Sequence, residues 1–137
     1  MAAVLDTNVL FAALVSDGLC REIVRRIAGI RGLVLSEAIL EELETVGLRK
    51  LPRDARVARF LLDLRGFATI VTPVRLPARA SRDETDDVVI ATAVAAKASH
   101  LVSGDKDLLI LERYGRIQIV SPRAYVAWLD TKGVPLR

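Results

Sequence analysis

Asp6, Glu42, Asp87 and Asp105 lie far apart in this chain, yet alternating strands and helices would gather them at one edge of a sheet. Asp6 closes the apolar run Ala2-Ala3-Val4-Leu5, and Asp105 follows a second run, His100-Leu101-Val102-Ser103-Gly104. Open α/β sheets place their ligand sites just beyond the carboxyl ends of the strands. Carboxylates crowded there repel one another and cost folding energy unless a cation offsets them. A hard divalent ion such as Mg²⁺ or Mn²⁺, which takes oxygen ligands, suits that donor set. Such an ion lowers the pKa of a bound water and stabilises charge on a phosphoryl oxygen. Two ions about 3.5–4 Å apart would clamp the attacking and leaving oxygens together, and the donor set suits one ion or two.

Other chemistries lack their residues. His100 is the only histidine and opens a strand, so no Ser-His-Asp triad or Cys–His pair can be assembled around it. No GxGxxG or P-loop motif is present, and no Cys/His cluster could hold zinc. Carboxylate–metal chemistry remains.

Helical geometry selects among neighbouring acids. In the segment 37–48, Ile39, Leu43 and Val46 form an apolar stripe from which Glu37, Glu41 and Glu44 point away. At about 100° per residue Glu42 falls about 60° from the centre of that stripe, at the border facing the sheet. Asp83, Glu84, Asp86 and Asp87 crowd the start of a later helix, where acids also complement the helix dipole. Asp87 heads the stripe Ile90, Ala91, Val94 and is expected to face inward. Asp86 shares its side with Val89 and Ala93 but also with Lys97, which marks it as a rim residue. In Ser103-Gly104-Asp105-Lys106-Asp107, Asp105 is nearest the strand end, and Asp107 is expected either to stand behind the ligands as a supporting anion or to cap a helix.

The elements that must position these residues alternate. Strands are expected over 2–6, 33–35, 68–71, 100–103 and 117–120. Helices are expected over 8–15, 19–30, 37–48 (capped by Ser36), from Pro52-Arg53 to Gly66, from Asp83 or Thr85 to Ala98, and over 122–129, with a helical turn around 108–112. Residues 74–82 read as a loop. The alternation predicts a mostly parallel α/β sheet covered on both faces. A chain of 137 residues without repeats or linkers is expected to be one domain, 1–137.

Composition narrows the setting. The longest apolar run, Val9 to Val15, is too short to span a bilayer, a strand beginning at residue 2 leads us to expect no signal segment, and the lone Cys20 fits a reducing compartment. A cytoplasmic protein is the expectation. The net charge is only +3, but setting aside the four site acids leaves 13 anions against 20 cations. Arg49, Lys50, Arg53, Arg56, Arg59 and Arg65 crowd one segment. A basic rim around an acidic pocket suits a nucleic-acid substrate, with Arg49, Lys50, Arg53 and Arg56 as candidate contacts, although a solvated helix face has the same composition.

Four stretches together resemble the PIN-domain nucleases. Leu5-Asp6-Thr7-Asn8-Val9-Leu10 resembles the family's opening motif, and Ser36 through Leu43 its helix bearing the second acid, which maps to Glu42. Asp87-Val88-Val89-Ile90-Ala91-Thr92-Ala93 resembles the third motif, and Leu101 through Leu109 the fourth. The likeness runs over about residues 2 to 122, with Ser103 where many relatives carry threonine. It implies a three-layer α/β/α sandwich, Mg²⁺ or Mn²⁺ dependence and endonucleolytic cleavage of RNA. It also implies metal ligation by Asp6, Asp87 and Asp105, with Glu42 ligating directly or through water, and Asn8 and Ser103 orienting carboxylates. Small stand-alone members of this kind are mostly toxins of toxin–antitoxin pairs, including the VapC-type group, so a homodimer and a protein antitoxin are the expected partners. The alternatives are a housekeeping RNA-processing nuclease and a PIN-like scaffold that binds RNA or protein without cutting. A haloacid dehalogenase-type phosphatase would need an aspartate where Asn8 stands, and a receiver-like domain would not need Glu42.

Overall fold

The computed structural model describes residues 2–135. Strand β1 (Ala3–Leu5) pairs in parallel with β4 (His100–Val102), and β4 with β6 (Ile117–Val120). On the other side of β1, an isolated parallel bridge from Ala3 to Leu33 leads into β2 (Val34–Leu35), which pairs in parallel with β3 (Thr69–Ile70). One short strand, β5 (Arg113–Tyr114), runs antiparallel along the outer edge of β6. Every residue of β1, β2 and β4 is buried, as continuous apolar strands covered on both faces must be. The cover comes from α1 (Thr7–Val15), α2 (Leu19–Gly29), α3 (Glu37–Lys50), α4 (Ala55–Phe67), α5 (Glu84–Ala96), α6 (Lys106–Leu109) and α7 (Pro122–Thr131). The result is a three-layer α/β/α sandwich with a mostly parallel sheet. Among the described residues no helix is long and apolar enough to cross a membrane.

Parallel strands share a direction, so the helices that follow them begin at one edge. Asp6 joins β1 to α1, Ser36 joins β2 to α3, and residues 103–105 join β4 to α6. α5 packs on β1, β2 and β4. A hydroxyl pair ties it to α3, with Thr92 Oγ1 2.9 Å from Ser36 Oγ. Gly47 allows α4 to approach α3 closely, since a Cβ there would lie 2.8 Å from Val57 Cγ1.

The expected boundaries shift where the backbone turns. Arg53 adopts a left-handed φ of 61°, so α3 runs on to Lys50 and α4 starts only after the Asp54 cap. Lys97 is likewise left-handed, with φ 52°, and ends α5 at Ala96 rather than Ala98. The helical turn expected around 108–112 forms instead over Lys106–Leu109, started by the Asp105 cap. β5 was not foreseen. It forms because Gly115, at φ 58°, permits the two-residue turn that folds Tyr114 back onto Ile117.

Candidate metal centre

Asp6 is the innermost carboxylate of the carboxyl edge, only 5% exposed. As the N-cap of α1 it accepts from Val9 N at 2.9 Å through Oδ1, while Oδ2 accepts from the buried Ser103 hydroxyl. Ser103 Oγ accepts in turn from Asp105 N at 2.9 Å, and Asp105 caps α6 through Asp107 N at 2.8 Å. One serine thus sets the spacing of two acids on adjacent strands. Asp86 reaches the same place from α5, 7% exposed, with Oδ2 3.2 Å from Ser81 Oγ. Asp86, Asp105 and Asp107 each offer an oxygen within 4.8 Å of the others. Glu42 completes the lining, half-buried, whereas Glu37, Glu41 and Glu44 on the same helix are exposed.

Asp6, Glu42, Asp86 and Asp105, with Thr7, Asn8, Asp83, Thr85 and Val89, line a cavity of about 90 Å³. At about 30 Å³ per water molecule, that is room for an ion and its waters but not for a nucleobase. Burial pushes the Asp6 carboxyl up, opposed by the bonds from Ser103 and Val9 and reinforced by the charges of Asp105 and Glu42. Burial, then the charge of Asp105, raises Asp86 from 3.8 to about 6. Among the described residues no Lys or Arg lines the cavity. The N-termini of α1, α5 and α6 lie beside the acids and relieve only part of the repulsion.

Asp87 is not in this cavity. Its carboxylate is 3.0 Å from Arg79 Nε and accepts from Ala80 N at 3.2 Å and Ser81 N at 2.7 Å. Consecutive helical residues diverge by about 100°, so only one of the pair can face the pocket, and that one is Asp86. The expectation failed for a local reason. Lys97 belongs to the left-handed cap and says nothing about the face Asp86 occupies. In addition α5 is buried continuously from Val89 to Ala93, so its apolar residues define no narrow stripe. Thr7 and Asp83 also line the cavity, where the sequence pointed to Asp83 only as a helix cap and to Thr7 only as a neighbour of Asp6. Thr7 Oγ1 is buried without a partner.

His100 has no part in the cavity. It packs against Tyr125 and Trp128, at ring-centroid distances of 5.2 and 4.2 Å, and burial lowers its pKa. Of the candidate nucleic-acid contacts, Arg49 and Arg53 are exposed, Lys50 Nζ lies 5.1 Å from the Phe11 ring centroid, and Arg56 pairs with Asp54 at 2.8 Å.

The cavity fits a divalent cation. Its donors are carboxylate oxygens, two of its acids (Asp6 and Asp86) are buried with no cation beside them among the described residues, and an unpartnered buried hydroxyl belongs to its lining residue Thr7. Fold and pocket together define an α/β protein with an oxygen-lined acidic site at the carboxyl edge of its sheet. The PIN domain model matches residues 2–107, and the chain belongs to the PIN domain family. PIN domains are in general nucleases that use divalent metals. The fold is similar to a chain in the crystal structure of VapBC2 from Rickettsia felis bound to a DNA fragment from their promoter. That likeness has a TM-score of 0.64 and 16% identity, covering 88% of this chain and 98% of that one. It is also similar to the T. brucei RRP44 PIN domain, with a TM-score of 0.52 and 17% identity, covering 96% of this chain and 82% of that one. No curated protein is similar enough to this chain to count as a relative.

Proposed function

We propose that the chain is a Mg²⁺- or Mn²⁺-dependent endoribonuclease, the toxin of a toxin–antitoxin pair, with Asp6, Glu42, Asp86 and Asp105 holding the metal. The convergence of these four acids from two helices and two strand ends on one small polar cavity carries the reading. A divalent ion held there supplies charge stabilisation at a phosphoryl oxygen and an acidified water. The protein's own part is positioning. Ser103 fixes Asp6 and the backbone of Asp105, Asp107 stands beside the ligand oxygens, and exposed Asn8 lies at the mouth. The exposed cations Arg49, Lys50 and Arg53 suit the phosphate backbone of RNA.

Membership of the PIN family supports nuclease chemistry, and the resemblance to VapC-type toxins supports a homodimer and a protein antitoxin. The test is incubation of purified protein with total cellular RNA in EDTA, then with Mg²⁺ or Mn²⁺, followed by mapping of new ends. Metal-restored cleavage at a few defined sites is expected. Cleavage undiminished in EDTA, or none with either metal, contradicts the proposal.

A further inference from the structure

Asp87 turns its back on the cavity, yet its contacts end there. Its carboxylate, 14% exposed, gathers three donors from one short stretch: Arg79 Nε at 3.0 Å, Ala80 N at 3.2 Å and Ser81 N at 2.7 Å. Bonds to an ionised acceptor are about twice as strong as neutral ones. Arg79 closes the turn on itself, donating to Ser81 O at 3.3 Å and Arg82 O at 3.0 Å. Before that stretch, the segment between β3 and α5 is held by Val71 N to Leu35 O at 2.9 Å, Val74 N to Ala91 O at 3.3 Å and the packing of Leu76 on the core. Asp87 therefore fixes where Ser81 stands. Ser81 is buried, and its hydroxyl lies 3.2 Å from Asp86 Oδ2.

We infer that Asp87 is a positioning residue: through Arg79, Ala80 and Ser81 it aims the Asp86 carboxylate at the metal. The inference rests on the proposed site, in which Asp86 is a ligand. Adjacent aspartates then have opposite duties, one facing the ion and the other fastening the loop that orients it. Loss of such an outer hydrogen-bonding partner costs about 10–100-fold in metal affinity.

The experiment is calorimetric titration of Mn²⁺ into metal-free wild type, Asp86→Asn, Asp87→Ala, Asp87→Asn and Ser81→Ala. Amide hydrogen exchange over residues 72–83 is recorded on the same samples. Asp87→Ala should raise the Mn²⁺ Kd about 10-fold or more and speed exchange at Ala80 and Ser81. Asp87→Asn should do less on both counts, because its amide oxygen still accepts from those two N–H groups. Ser81→Ala should weaken Mn²⁺ about as much as Asp87→Ala while leaving the loop protected, and it carries the test if Asp87→Ala does not fold. Any RNA cleavage lost in Asp87→Ala should return as Mn²⁺ is raised, unlike that lost in Asp86→Asn. Wild-type Mn²⁺ affinity in both Asp87→Ala and Ser81→Ala overturns the inference. So does complete loss of binding in Asp87→Ala, which would make Asp87 itself a ligand. A wild type that binds Mn²⁺ but cuts no RNA overturns the proposed function and leaves the Asp87 result standing.

Discussion

Buried charge is handled in opposite ways in two parts of this molecule. Between α2 and α7, the Arg26 guanidinium is 5% exposed and meets Glu22 at 3.2 Å, Asp130 at 2.8 Å and the Val134 carbonyl at 2.6 Å. Only its Nε lacks a partner. At the carboxyl edge of the sheet, Asp6 and Asp86 are as deeply buried, with Glu42, Asp83 and Asp105 around them and, among the described residues, no cation lining the cavity. The first arrangement completes itself within the chain and fastens the end of α7 to α2. The second has no such partner among the described residues and is open to a cation from solution. Repulsion left standing in a protein that elsewhere pairs its buried charges is the physical mark of a binding site.

The largest expected effect comes from closing the open pocket. Asp86→Asn should reduce metal-dependent RNA cleavage by more than the ~100-fold that loss of an outer partner can cost. Its melting temperature in EDTA should hold steady or rise, because a repelling carboxylate is gone. A cleavage assay beside a thermal melt checks both, and a variant that cuts normally breaks the comparison. Opening the closed arrangement should do the reverse. Arg26→Leu should cost about 2 kcal/mol of stability, on the scale of charge-assisted bonds lost from a buried site, while folded enzyme keeps its Mn²⁺ affinity. Urea unfolding and calorimetry separate those outcomes.

Glu42→Gln should lower cleavage about 10-fold and Glu41→Gln less than twofold, since Glu42 alone of that pair lines the cavity. Equal losses would remove Glu42 from the site. The smallest effect concerns pH. Asp86 has its folded pKa raised from 3.8 to about 6. Its contribution is therefore full below 3.8 and lost as pH rises through about 6. Metal-free protein should gain stability from this group as pH falls from 7 toward 5. Asp54 and Asp83, held low by bonds from Arg56 and Thr85, act in the opposite sense. The difference between wild type and Asp86→Asn isolates the term, and parallel stability–pH curves for the two would contradict it.

Asp6 and Asp105 were legible in the sequence because a strand end fixes where the next residue points, and Glu42 because its helix has one apolar side. The choice between Asp86 and Asp87 was not legible. It depends on a helix buried over more than one face and on an arginine eight residues upstream, reached through a loop with no periodicity. The order of strands and helices could be read from alternation, but the two-residue β5 is too short to carry a pattern. The Arg26–Asp130 pair joins residues 104 positions apart, a separation that no local signal spans.

The most direct measurement is the melting temperature of wild type and Asp86→Asn, metal-free and across a Mn²⁺ titration at constant ionic strength. An ion that completes the open pocket stabilises the wild type by about 2.7 kcal/mol at 100 times its Kd. A rise of several degrees is expected in the wild type and little or none in Asp86→Asn. The same rise in both proteins, or none in the wild type, would contradict it.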